Sequence, residues 1–306
     1  MLMKKLAVID LGSNSIRMSI FEIYPDKTFC QTGSYRNMIK LSQGMTDDMC
    51  LKPDAQLRAV NALLEYKQIM QKSKITDLRA VATAAVRKAK NGKDFVEDAK
   101  KATGITIEII DGETEAMLDC LAISGALGCK DGIICDIGGG STEFIALCDE
   151  KMQTPAISIP IGSRWIAETF FSKGETPQAI TQAKDYVCDQ ISQLPWLDKM
   201  NGAPILGIGG TLRALAKYHM QDSSKNTISN HEIPASEIDR LFDSISYASV
   251  DDRKAMPGIG AERADIIMGG LLPLMELKKV LNSQNLIVAD VGIREGILFD
   301  YIKKMK

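Results

Sequence analysis

The chain writes one acid-and-turn pattern twice. Positions 9–18 read IDLGSNSIRM and positions 135–144 read CDIGGGSTEF. In each copy an aspartate ends an apolar run, glycine follows two places later, and a hydroxyl follows five places later. Asp10, Gly12 and Ser15 therefore match Asp136, Gly138 and Ser141. After the first turn Ile16, Met18 and Ile20 fall on one face of an alternating segment, so each copy predicts a strand–turn–strand hairpin. What surrounds the two copies also matches. Strands are expected at 5–11, 15–23 and near 27–34, then a helix over 53–72 opened by Pro53. A strand at 77–83 precedes a helix that Asn91 and Asp94 cap and Gly104 stops. A strand at 105–110 and a helix at 113–127 complete the half. The second half repeats this order with strands at 132–137, 142–148 and 154–161, helices at 163–171 and 177–194, a strand at 203–208 and a helix at 210–219. Further helices are expected at 235–247 and 260–281, a strand at 285–290 and a last helix at 292–305. The reading is a duplicated α/β chain.

A length of 306 residues suits two domains of roughly 150 each. The expected division is 1–125 and 126–293, with the final helix, about 294–306, available to pack back on the first domain. The net charge of −2 excludes a global basic field for polyanions, so an anionic ligand must be held by local groups. No apolar run approaches the ~18 residues of a membrane span, and Asp10 cuts the first one too short for a signal-peptide core. Seven cysteines without a CxxC pair read as buried thiols of a reducing cytoplasm. The two histidines, His219 and His231, offer no metal cluster or triad spacing. The basic run RKAKNGK at 87–93 lacks interleaved aromatics and is no nucleic-acid site.

Gly-rich turns let backbone N–H groups approach an anion. No lysine follows either turn, and a strand follows each, so neither is the phosphate loop that precedes a helix. Asp10 and Asp136 at strand ends could hold Mg²⁺ directly or through water. Two such hairpins facing one another would grip a phosphate chain and its metal, whereas a single Gly-rich hairpin would carry no such expectation. A third glycine site, GIGGTLRALA at 207–216, opens a helix and offers Gly209, Gly210 and Thr211 to an anion.

Seven segments in order, AVIDLGSNSIRMSI, VATAAVRKAKNGKDF, IEIIDGETEAML, CDIGGGSTEF, GIGGTLRALA, GAERADIIMGGLLPL and DVGIREGIL, resemble the exopolyphosphatase/guanosine-pentaphosphate phosphohydrolase (Ppx/GppA) family. The likeness is to its short form, without the C-terminal HD-like extension. It implies two ribonuclease-H-like domains of the actin, Hsp70 and sugar-kinase type with an active-site cleft between them. The family's catalytic glutamate falls on Glu115. Its Ser-Gly-x-Glu-Glu-Ala pattern reads Asp111-Gly112-Glu113-Thr114-Glu115-Ala116 here, so Asp111 and Thr114 depart from it. The resemblance places Arg17 and Arg87 near phosphate, with Gly12, Ser13, Asn14, Ser15, Gly138, Gly139, Gly140, Ser141 and Thr142 in the turns, and puts Arg263 at a nucleotide or phosphate-chain contact. Mg²⁺, or Mn²⁺ in its place, is expected on Asp10, Asp136 and Glu143, although strand alternation leaves open which way Glu143 faces.

The expected activity is a cytoplasmic Mg²⁺-dependent phosphohydrolase. It would release terminal phosphate from inorganic polyphosphate or the 5′-γ-phosphate of guanosine pentaphosphate, with Glu115 as general base. A metabolite kinase of the same fold and a non-catalytic sensor of guanosine tetraphosphate or polyphosphate are the alternatives. No nucleic-acid or membrane partner is expected, and a homodimer stays open.

Overall fold

The computed structural model describes residues 3–45, 48–127, 131–148, 151–152, 156–221, 228 and 230–305. The chain divides into two units, Met1–Leu121 with Ile293–Lys306, and Ala122–Gly292.

In the first unit, β1 (Lys4–Leu11), β2 (Ser15–Ile23), β3 (Phe29–Met38), β4 (Asp77–Ala82) and β5 (Glu108–Ile109) form one sheet in the order β3-β2-β1-β4-β5. β1 pairs antiparallel with β2 and parallel with β4, so the hairpin and the crossover share one strand. Side chains alternate across a strand, and β1 is apolar on both faces. Ala7, Ile9 and Leu11 pack into one core with α1 (Pro53–Lys72) and α3 (Gly92–Thr103). Leu6 and Val8 enter a second core with Leu118 of α4 (Gly112–Leu127) and with Ile293, Ile297 and Leu298 of α12 (Ile293–Lys304). A methyl on Gly296 would collide with the Leu118 carbonyl oxygen, so α12 meets the backbone of α4 directly. The short α2 (Ala84–Lys88) is held against α3 by Gly92, where any side chain would strike the Val86 carbonyl.

In the second unit, β6 (Gly132–Ile137), β7 (Thr142–Cys148), β8 (Lys151–Met152), β10 (Ile205–Ile208), β11 (His231–Pro234) and β12 (Asn285–Val288) run in the order β11-β12-β10-β6-β7-β8, and β9 (Ile157–Ile159) pairs with β7. The helices are α5 (Ser163–Phe170), α6 (Pro177–Ile191), α7 (Gly209–Met220), α8 (Ala235–Tyr247), α9 (Val250–Ala255), α10 (Gly260–Arg263) and α11 (Ile267–Leu281). α11 is buried along most of its length. Its Gly269 and Gly270 let it lie close to the Ser163 carbonyl of α5 and the Thr211 hydroxyl of α7.

Several expectations need correction. Asn91 precedes α3 but does not cap it. Its side chain instead bonds the backbone N–H and C=O of Leu51, which ties the start of α1 to α3. The expected strand 105–110 pairs only at Glu108–Ile109, because Ile105 and Ile107 turn into the core. The expected helix 260–281 is broken between Arg263 and Ile267, and α9 and β11 had not been anticipated. Of the cysteines, six are free thiols and Cys129 lies outside the described residues. Among the described residues no helix is long and apolar enough to cross a membrane.

Candidate active site

The two hairpins share one geometry. In the first, the Gly12 N–H donates to the Ser15 carbonyl at 3.1 Å; in the second, Gly138 N–H donates to the Ser141 carbonyl at 3.0 Å. A Cβ on either glycine would sit 3.1 Å from that serine oxygen. Both turns are tied back through their carbonyls. Ile39 and Lys40 donate to Asn14 and Ser42 donates to Ser13, while Ser163 donates to Gly138 and Arg164 and Trp165 donate to Gly139. Because a trans peptide sets C=O and N–H on opposite sides, anchored carbonyls turn the following amides the other way. That is the geometry of an anion-binding turn.

The hairpins differ in what lies across from the aspartate. Asp10 is paired in register with Arg17, and Asp136 with Glu143. Glu143 is buried, and its Oε1 accepts hydrogen bonds from Ser141 Oγ at 2.7 Å and Ser158 Oγ at 2.6 Å. Glu143 thus faces the same side of the sheet as Asp136, away from the Cys135 and Phe144 side that packs into the core. Burial, with Asp136 and Glu143 nearby, pushes the Cys135 thiol well above its ordinary range. Opposed carboxylates cost stability, and a hard cation offsets that cost. Both groups offer oxygen donors of the kind Mg²⁺ takes, one or two carboxylates with the other positions left to water and phosphate. Among the described residues no three His, Cys, Asp or Glu side chains gather into a protein cage for a metal. Gly209, at φ +88°, makes room here, since a methyl on it would collide with Asp136 Oδ1.

The remaining predicted residues of the second unit separate by role. Thr142 does not present its hydroxyl to a ligand; it is fully buried and donates to the Ile161 carbonyl at 3.0 Å. Arg263 and the start of α7 come together, since a methyl on Gly210 would overlap the Arg263 guanidinium. A cation beside a helix N-terminus runs against the dipole, and an anion placed there relieves both. Thr211 is buried, and its Oγ1 has no hydrogen-bond partner among the described residues.

In the first unit the structure joins two residues that the sequence treats separately. Arg87 Nη1 donates to Glu115 Oε2 at 2.7 Å and to the Ile110 carbonyl at 2.9 Å. Glu115 is only 7% exposed, and Asp119, one turn further along α4, is fully buried. By strand alternation Asp10 and Arg17 share the sheet face of Leu6 and Val8, the face on which α4 packs. Asp111 serves as the cap of α4. Its Oδ1 accepts the Thr114 N–H at 2.7 Å, and bonds from Thr114, with Arg87 nearby, hold its carboxyl below the usual range. Serine and aspartate cap a helix equally well, so the departure at Asp111 keeps the local structure.

Gly162 and Ser158 escaped the sequence reading. Any side chain on Gly162 would strike the amides of Gly140 and Ser141, so it backs the second turn. The Gly-Ser pair opening a helix was the available signal for Gly162. Ser158 had none, because the β7–β9 register that sets it beside Glu143 is a long-range pairing.

A family model described as the Ppx/GppA phosphatase family matches residues 20–305. The chain belongs to that family. Among curated Ppx/GppA relatives, an exopolyphosphatase 1 of Mycobacterium leprae is 25% identical, with 96% of this chain and 88% of that protein covered. A guanosine-5′-triphosphate,3′-diphosphate pyrophosphatase of Vibrio cholerae is 27% identical over 98% of this chain, which spans 60% of that protein's length. A crystal structure of the Aquifex aeolicus Ppx/GppA family member superposes with a TM-score of 0.82 at 27% identity, covering 99% of both chains. Membership makes the chain an enzyme of the phosphohydrolase class with the actin-like two-domain fold.

Proposed function

We propose that the chain is a Mg²⁺-dependent phosphohydrolase that removes the terminal phosphate of inorganic polyphosphate or the 5′-γ-phosphate of guanosine pentaphosphate. The observation that carries this reading is the Arg87–Glu115 pair, a nearly buried carboxylate held by a guanidinium at 2.7 Å. A carboxylate so held is fixed in direction, as a base that orients water must be. The guanidinium beside it suits the equatorial oxygens of a phosphoryl group. The names of the exopolyphosphatase and pyrophosphatase relatives support the substrate class.

In the proposed reaction Glu115 orients a water and takes its proton as the water oxygen bonds to the terminal phosphorus. The anhydride P–O bond breaks, and its electron pair leaves with the shortened chain. Arg87 and Arg17, with the amides of Ser13–Ser15, hold phosphate oxygens; in the second unit the amides of Gly139–Ser141, and Arg263 with Gly210 and Thr211, offer further contacts to an anion. Asp136 and Glu143, paired in register, would hold Mg²⁺, which when bound neutralises phosphate charge.

The test is phosphate release from polyphosphates of several lengths, guanosine pentaphosphate and ATP, with Mg²⁺ or Mn²⁺. Glu115→Gln is expected to lower kcat by about a hundred- to ten-thousand-fold while substrate still binds. Tight binding without release by the wild-type protein would select the sensor reading, and phosphorylation of a metabolite by ATP the kinase reading.

A further inference from the structure

The first unit carries a second concave site, away from the hairpin turns, on the α12 side of its sheet. It has a volume of about 510 Å³, within the range of small-molecule pockets, and lies between the ends of β1, β4 and β5, the first turns of α4, and α12. Its floor is apolar, made by Val81, Ile110, Leu118 and Ile297, with Met117 exposed at the rim. Two cations flank one ring in its wall. Lys4 Nζ and Arg79 Cζ each lie 5.8 Å from the centroid of the Tyr301 ring. Two acids also line the site. Asp300 is engaged by Lys304 at 2.6 Å, and Glu108 stands on the edge strand β5. Among the described residues neither bridges to Lys4 or Arg79, so an anion at these cations meets positive charge that no carboxylate neutralises.

We propose that this pocket binds an amphiphilic organic anion, its apolar body on the Ile110–Leu118–Ile297 floor and its anionic head on the Lys4 and Arg79 wall. The site adjoins the proposed chemistry through one helix. Thr114, Met117 and Leu118 line the pocket, while Glu115 on the same turn pairs with Arg87. Leu118 is also the backbone point at which α12 rests through Gly296. A ligand wedged between α12 and α4 therefore bears on the seat of Glu115. This second step, a change in turnover, rests on the function proposed above; the binding itself does not.

The probe is 1-anilinonaphthalene-8-sulfonate, a fused-ring anion of suitable size, titrated by fluorescence and calorimetry into the full chain. Saturable binding at one site per chain is expected, weakened at least tenfold in Lys4→Glu/Arg79→Glu. The uncharged N-phenyl-1-naphthylamine should bind at least tenfold more weakly than the sulfonate. Met117→Trp, which fills the rim without touching the cations, is a second variant expected to weaken binding and guards against misfolding of the first. Absence of saturable binding, equal affinity for the uncharged probe, or unchanged affinity in both variants would each overturn the site. If binding behaves as expected and the probe leaves turnover of an active enzyme unchanged, the coupling through α4 is overturned. If the enzyme releases no phosphate from any substrate, the proposed function fails while the binding result stands.

Discussion

The two hairpins close alike and differ in charge. Glycine position and closing bond agree, 3.1 against 3.0 Å, while the anchored carbonyls are those of Ser13 and Asn14 in the first turn and of Gly138 and Gly139 in the second. One position, seven residues after the aspartate, carries arginine in the first copy and glutamate in the second. Asp10 beside Arg17 forms a balanced pair, and Asp136 beside Glu143 forms a doubly acidic one. Under the proposed function, that one side chain suits the first copy to an anion and the second to a cation.

The most disruptive test of that contrast is to rewrite one copy as the other. Glu143→Arg should lower phosphohydrolase activity by about a thousandfold or more, a loss that added Mg²⁺ does not restore, because the cation site is gone. Arg17→Glu should instead raise KM for phosphate substrates and leave Mn²⁺ affinity nearly unchanged in calorimetry. Equal effects of the two on Mn²⁺ affinity would erase the distinction. Gly209→Ala comes next. It puts a side chain at φ +88° against Asp136 and should cost at least about 2 kcal/mol in denaturant unfolding. Gly12→Ala and Gly138→Ala meet serine oxygens at equal distance, so their smaller losses should match; a clear inequality would show that the backbones differ in stiffness.

Ser158→Ala tests the support behind Glu143 and should weaken Mn²⁺ binding about tenfold, with the fold intact by circular dichroism. The smallest effect concerns acid. The Asp111 carboxyl is depressed in the folded chain, so its stabilisation is present above the unfolded value, near 3.9, and fades as pH falls through the folded value. Asp111→Asn should therefore flatten the acid limb of stability below about pH 4, read as thermal midpoint against pH.

The hairpins, the helix–strand order and the Gly-rich turns were legible in the sequence because each depends on neighbours a few residues away. Period-two patterning gave β1 and β2, Pro53 the start of α1, and Thr176, whose side chain accepts the Ala179 N–H, the start of α6. Residues whose role depends on distant pairing were not legible. Asn91 looks like a cap and is a tether to Leu51. Thr142 looks like a phosphate donor and is occupied by Ile161. Arg87 and Glu115, 28 residues apart, become partners only when α2 and α4 are placed. The Arg17–Glu143 contrast lay in plain view, since aligning the repeat two residues beyond its serines sets one against the other.

The second core of the first unit also orders events in time. Leu6, Val8, Phe21 and Ile23 are made first, but Ile293, Ile297 and Leu298, which complete their cluster, are made after the whole second unit. At about 5–20 residues per second the wait from Ile23 to Ile293 is roughly 14 to 54 seconds. During that interval the sheet that bears Asp10 and Arg17 has one apolar face covered by α4 but not yet by α12, and the second unit can fold before the first is closed. The last helix is thus a clasp applied late in synthesis, and the nascent chain is most open to aggregation, and to chaperones that prevent it, just before α12 emerges.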